Sequence, residues 1–298
     1  MSLNPRFVSP TDDDPMNSNY WALLPMLLAA CPGSAQDAAK AGPAVVKQLN
    51  VTYNPAKDAD AVRHKLDVYT PKDAKNFPLM MFVHGGSWMS GSKDLYSALG
   101  ETFAKQGFGV VIINYRLSRP DNTVKHPDHI KDVAKAFAWM KANAAKLGAD
   151  EKRLYVAGHS AGGHLVSLLA TDDQYLKAEK CSPADIRGVM PISGVYSIAS
   201  VVPLFHRPFG KEAAACLAAS PASHVKAALP PFLVAYGDAD FPTLDKMAEE
   251  FGKKLKELKN DVTVMKLDKR NHFSIIINLA VSAEDPLAKA MADFMAKK

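Results

Sequence analysis

The residues best suited to do chemistry lie in Leu154-Tyr155-Val156-Ala157-Gly158-His159-Ser160-Ala161-Gly162-Gly163-His164-Leu165. This stretch reads as a short apolar strand, a Gly-x-Ser-x-Gly turn and the start of an amphipathic helix. A serine that attacks a carbonyl must stand exposed on a sharp strand-to-helix turn. Glycines belong on either side, because a Cβ there would crowd the neighbouring strand or helix. Gly158 and Gly162 flank Ser160 in that way. The N–H of Ala161 then faces the point where an oxyanion forms, aided by the positive end of the helix dipole. The pattern specifies acyl transfer through Ser160.

Such a serine needs partners. His84-Gly85-Gly86-Ser87-Trp88 follows an apolar run, where a loop of oxyanion donors belongs. Gly86 and Ser87 are the expected donors, with Ala161 the third. A hydroxyl is a weak nucleophile at neutral pH, so a base is required. Of nine histidines, His272 is the one expected at a strand end, after Val262 to Leu267 and the polar loop Asp268-Lys269-Arg270-Asn271. His159 and His164 flank the serine and are expected to pack or support. The acid must hold the base in one tautomer. Tyr236-Gly237-Asp238-Ala239-Asp240 offers two candidates between nucleophile and base. Asp240, deeper in the loop, is favoured; Asp238 is expected to bond backbone groups in the turn, and Asp245 and Asp268 are outside choices.

These groups must be held by strands. Val45 to Tyr53 and His64 to Tyr69 read as two antiparallel edge strands. Leu79 to Val83 and Val110 to Tyr115 are apolar runs typical of strands buried on both faces. Arg153 to Ala157, Gly188 to Ser193, Phe232 to Tyr236 and Val262 to Leu267 supply further strands. Helical spacing covers Asp94 to Gln106, Asp128 to Leu147, Ser160 to Ala170, Thr243 to Leu258 and Pro286 to Met295. Alternating strands and helices imply an α/β fold with a mostly parallel central sheet, helices on both faces and right-handed crossovers. The stretch 196–230 lacks a strand signal and reads as a small cap insertion over the site.

Length and composition fit one large domain: 298 residues, 48% hydrophobic, 22% charged, net charge +5. The Lys253, Lys254 and Lys256 run reads as a solvated helix face. No basic stripe with interleaved aromatics is present, so nucleic acid is not an expected partner. Residues 1–44 read as leader and linker, with residues 45–298 forming the catalytic domain. Tyr20 to Cys31 is too short to span a bilayer but has the length of a signal-peptide core. Its Leu28-Ala29-Ala30-Cys31 ending resembles a bacterial lipoprotein box. That would put lipid on Cys31 and the protein at the cell envelope or periplasm. The missing Lys or Arg between Met16 and Cys31 leaves a cytoplasmic protein with a helical arm as the alternative. In an exported protein Cys181 and Cys216 would be able to pair.

The motifs His84-Gly85-Gly86-Ser87-Trp88, Asn114-Tyr115-Arg116-Leu117, Gly158 to Leu165, Gly237-Asp238-Ala239-Asp240 and His272 together resemble the α/β-hydrolase superfamily. Within it the chain looks like the esterase branch that includes feruloyl-esterase-like and hormone-sensitive-lipase-like enzymes and the kynurenine formamidases. Ser87 stands where the lipase-like form has a third glycine, and His159 where it usually has Asp; both favour the feruloyl-esterase-like side. The resemblance implies nucleophile Ser160, acid Asp240, base His272, an oxyanion hole from Gly86, Ser87 and Ala161, and a structural Arg116–Asp132 pair. It implies a serine carboxylesterase acting on a small-molecule ester, with no metal or organic cofactor. Trp88, Phe205 and Phe209 are expected to contact a short or aryl acyl group. An arylformamidase using the same triad is the first alternative. A peptidase and an inactive binding protein of the same fold are the others.

Overall fold

Alternation of strand and helix begins after one antiparallel pair, β1 (Val45–Thr52) and β2 (Lys65–Pro71). It continues through β3 (Phe77–Val83), α1 (Ser97–Lys105), β4 (Gly109–Ile113), α2 (Asp128–Leu147), β5 (Ala149–His159) and α3 (Ala161–Thr171). After the short α4 (Gln174–Ala178) come β6 (Gly188–Ile192), α5 (Pro203–Phe209), α6 (Ala213–Ala218), β7 (Phe232–Ala239) and α7 (Leu244–Glu257). β8 (Val262–Asn271), α8 (Ser274–Val281) and α9 (Pro286–Ala296) complete the chain. The computed structural model describes residues 42–57 and 59–297. The leader-like stretch with Cys31 lies outside the described residues.

The eight strands form one sheet in the order β1-β2-β4-β3-β5-β6-β7-β8, with β3 to β8 parallel. Every residue of β3, β4 and β6 is buried, as strands covered by helices on both faces must be. One face carries α2, α3 and α7 over a core that includes Phe137, Leu165 and Phe251. The other carries α1, α8 and α9, with Phe103, Leu279 and Met291. The alternation therefore gives the expected α/β architecture. Two details differ from the sequence reading. β1 is an edge, but β2 lies one strand in, paired with β4 through Leu66 to Tyr69. β8 runs on to Asn271, so residues 268–271 are strand and His272 follows the strand directly. The extension is held by Ala239 pairing with Asn271 and by the Asp238 carboxylate, which accepts the Arg270 N–H at 3.0 Å.

The strand order matters for the site. The chain runs from β3 outward to β4, then crosses back to place β5 on the other side of β3. Ligand sites in such sheets form at the carboxyl ends of strands flanking this switch. The register sets Val83 opposite Gly158. The loop after β3 and the turn after β5 therefore leave the sheet side by side.

The stretch 196–230 holds α5, α6 and a 3-10 turn, Pro221–His224, with no strand among its residues. This two-helix segment is the one expected as a cap. Cys181 and Cys216 are both buried, free thiols, so the suggested pairing is corrected. Each sulfur instead faces a local backbone carbonyl, Glu179 and Gly210 respectively.

Candidate active site

Ser160 sits between β5 and α3 with φ 56° and ψ −118°. For a residue with a Cβ this conformation costs on the order of 1–3 kcal/mol and persists only where its surroundings enforce it. Two bonds do so: Ser160 N–H donates to Ile192 O at 2.9 Å, and Ser160 O accepts His164 N–H at 3.0 Å. The glycines are required by space. A Cβ on Gly162 would lie 2.0 Å from Val83 O, and one on Gly158 would lie 2.5 Å from the Gly162 backbone.

The loop after β3 lies against this turn. A Cβ built on Gly85 would stand 3.1 Å from the Ser160 Cβ and 3.0 Å from His159 O. Gly86, Ser87 and Trp88 all have positive φ, at 123°, 51° and 61°. Gly86 O closes the turn by accepting from Met89 N at 3.0 Å and Ser90 N at 2.9 Å. The N–H groups of Gly86, Ser87 and Ala161 donate to no acceptor among the described residues.

His272 and Asp240 meet as expected: His272 Nδ1 lies 2.7 Å from Asp240 Oδ1. The carboxylate is held by three more donors. Phe241 N–H reaches Oδ1 at 2.8 Å; Ser193 Oγ and Gly237 N–H reach Oδ2 at 2.5 Å and 3.3 Å. Burial works to raise the Asp240 pKa, but the His272 bond and charge, the Ser193 bond and the Phe241 N–H outweigh it and hold it below the usual carboxylate value. Asp238 bonds backbone groups, those of the facing strand at Lys269 and Arg270 and its own. Asp245 lies in the first turn of α7 and Asp268 on β8, whereas the carboxylate bonded to the His272 ring is that of Asp240. Ser193 is the residue the sequence reading missed. It lies just past β6, and no motif marks it.

Trp88, Phe205 and Phe209 are 1%, 5% and 4% exposed and pack edge-on against one another. Trp88 Nε1–H also donates to His164 Nδ1 at 3.2 Å, and His164 Nε2–H to Ala219 O at 2.7 Å. Together these contacts seat the cap on the β3 loop and on α3. The aromatic ring exposed near the base is Phe241. It is 48% exposed and stacked on His272 with centroids 4.2 Å apart. A single exposed aromatic in a loop gives no sequence signal.

Arg116 clasps Asp132 with Nε and Nη2 at 2.9 and 2.8 Å, while its N–H reaches the same carboxylate at 2.9 Å. The pair implied by the resemblance is therefore present, with His64 Nε2 beside it at 3.1 Å. It fixes the chain leaving β4 to α2. Among the described residues no group of three His, Cys, Asp or Glu side chains is placed to hold a metal ion.

A sheet of this order, a strained serine between β5 and α3, and a His–Asp pair from the ends of β7 and β8 define an α/β-hydrolase. The chain belongs to the BD-FAE family, whose model matches residues 66–255. Relatives include the probable carboxylic ester hydrolase LipM of Mycobacterium tuberculosis, 29% identical over 83% of this chain and 63% of its own. The esterase LipC of the same organism is 32% identical over 77% and 61%. The chain thus spans about three-fifths of the length of these mycobacterial relatives. The kynurenine formamidase of Danio rerio is 26% identical over 81% of this chain and 82% of its own. A truncated carbohydrate esterase from gut microbiota shares the fold, with TM-score 0.70, 22% identity and coverage of 85% and 98%.

Proposed function

We propose that this chain is a serine carboxylesterase, and the observation that carries the reading is the His272–Asp240 pair at 2.7 Å, tied at 2.9 Å through the His272 carbonyl to the His159 ring that precedes a conformationally strained Ser160. Ser160 Oγ attacks the ester carbonyl while His272 Nε2 takes its proton. Asp240 holds Nδ1–H and stabilises the imidazolium. The N–H groups of Gly86, Ser87 and Ala161 receive the oxyanion. His272 then gives the proton to the departing alcohol. Water, activated by the same ring, adds to the acyl-enzyme, and collapse frees the acid and Ser160. Every proton moves through side chains and water.

The ester is proposed to be short-chain or aryl. Phe241 supports this, because an exposed ring stacked on the base offers an apolar wall to one side of the bound group. A second reading, an arylformamidase, is favoured by the fish formamidase, which aligns over most of both chains. The test is hydrolysis of p-nitrophenyl esters from acetate to palmitate, with an arylformamide alongside. A short-chain optimum with slow formamide cleavage fits the ester reading. Formamide turnover exceeding that of every ester would replace it with the second. We also propose export with lipid on Cys31, supported by the apolar run ending Leu28-Ala29-Ala30-Cys31. Among the described residues no helix is long and apolar enough to cross a membrane. Radiolabelled palmitate incorporated by wild type and lost in Cys31→Ser fits this, and equal labelling of the two refutes it.

A further inference from the structure

The residue before the nucleophile makes contacts that the mechanism above does not use. His159 is buried at the end of β5. Its Nε2 lies 2.9 Å from the backbone carbonyl oxygen of His272. A carbonyl only accepts, so Nε2 carries a proton. Burial, with the nearby His272 adding to it, pushes the His159 pKa down to about 3. The ring is therefore neutral at working pH, and Nδ1 keeps its lone pair.

The partner at Nδ1 is the Tyr96 hydroxyl, a long contact at 3.3 Å. That hydroxyl oxygen is also 3.2 Å from the Gly85 N–H, which donates to it. The directions are thereby fixed. Gly85 N–H donates to Tyr96, Tyr96 O–H donates to His159 Nδ1, and His159 Nε2–H donates to His272 O. Tyr96 is itself anchored, buried at the end of a 3-10 turn with its ring 5.0 Å from Phe82 of β3. The chain of bonds joins the β3 loop, the residue beside Ser160 and the backbone of the base.

We infer that His159 is a positioning residue, which sets the His272 backbone and the Gly85–Ser87 loop in register with Ser160 through one directed hydrogen-bond chain. The reason is geometric. Ser160 comes from β5, the expected donors from β3 and the base from β8, so three separately anchored segments must converge. Acyl transfer needs the reacting atoms aligned to well under an ångström, and a misplacement of about 1 Å costs roughly 100-fold in rate. A neutral imidazole suits this position. Its two nitrogens bond in opposite senses, and it adds no charge beside His272, whose ring centroid lies 4.7 Å away.

The inference rests on the serine esterase reading, and the experiment separates the two. kcat and KM for a p-nitrophenyl short-chain ester are measured in wild type, Ser160→Ala, His159→Phe, His159→Gln, His159→Asn and Tyr96→Phe, with the melting temperature of each. His159→Phe should lower kcat by about 10- to 100-fold with KM changed less than about threefold. A glutamine amide places an N–H near the position of Nε2, so His159→Gln should recover to within about fivefold of wild type. Asparagine offers only an acceptor near Nδ1 and should not recover. Tyr96→Phe should cost several-fold in kcat. Should His159→Phe fail to fold, the glutamine and asparagine variants decide alone: glutamine clearly more active supports the inference. Asparagine equal to or better than glutamine overturns it, as does His159→Phe within twofold of wild type. Wild-type turnover that persists in Ser160→Ala would instead remove the esterase reading.

Discussion

Lowering the pH from about 7.5 to about 5.5 should destabilise this fold strongly, through histidines that folding removes from water. Burial pushes the pKa of His84 and His126 down from 6.5 to about 4, and those of His129, His159 and His164 to about 3. In the unfolded chain each ring takes a proton near its ordinary value, whereas in the folded chain it stays neutral. Between these limits the unfolded state binds more protons, so stability falls as pH falls through the window and levels off below the folded pKa values. One fully depressed ring contributes about 1.4 kcal/mol on going one unit below its ordinary pKa. Five rings set a ceiling of about 7 kcal/mol at pH 5.5, and partial exposure of His126 lowers it. That ceiling is comparable to the whole stability of an ordinary domain, about 5–15 kcal/mol. Urea unfolding at the two pH values is the assay. With a slope of about 3 kcal/mol per molar, the midpoint should drop by about 2 M. A midpoint unchanged within about 0.3 M would refute the reasoning, because it would mean these rings take up protons in the folded state as readily as in the unfolded.

Other substitutions test individual contacts. Asp240→Asn should lower kcat by about 10,000-fold with the fold intact by circular dichroism, because an amide at Nδ1 favours the wrong tautomer. Ser193→Ala, which removes the 2.5 Å bond to Asp240, should cost a smaller factor of about 10 in kcat, read in the same assay. Gly162→Ala sets a Cβ 2.0 Å from Val83 O and should give insoluble protein, or a melting point lower by 10 °C or more, on the order of 3 kcal/mol or above. Arg116→Ala leaves the fully buried Asp132 carboxylate with its main cation gone and should cost about 3–5 kcal/mol in urea unfolding.

What was legible in the sequence follows from what each signal needs. Apolar runs such as Leu79 to Val83 announce buried strands because nothing else tolerates them. α2 was legible end to end, because Gly148 adopts φ 87° and stops it. Ser160 was legible because its turn demands glycines at fixed spacing. Asp240 and His272 were legible as strand-end residues in the right chain order, although β8 proved longer than its apolar pattern. Its last residues, Asp268 to Asn271, are polar and are held by pairing with β7, which a hydropathy pattern does not see. Ser193, Phe241 and the His159 chain depend on contacts between distant segments and have no local signature. Trp88, Phe205 and Phe209 were read as contacts for the acyl group; that they are buried against one another is a property of packing that no local pattern carries.

The central claim is that Ser160 is the nucleophile. The measurement that tests it most directly is intact-protein and peptide mass spectrometry after treatment with a fluorophosphonate. The expected result is one adduct per chain, located on the peptide containing Ser160, absent in Ser160→Ala and formed far more slowly in Asp240→Asn. An adduct on another residue, or undiminished labelling of Ser160→Ala, would contradict it.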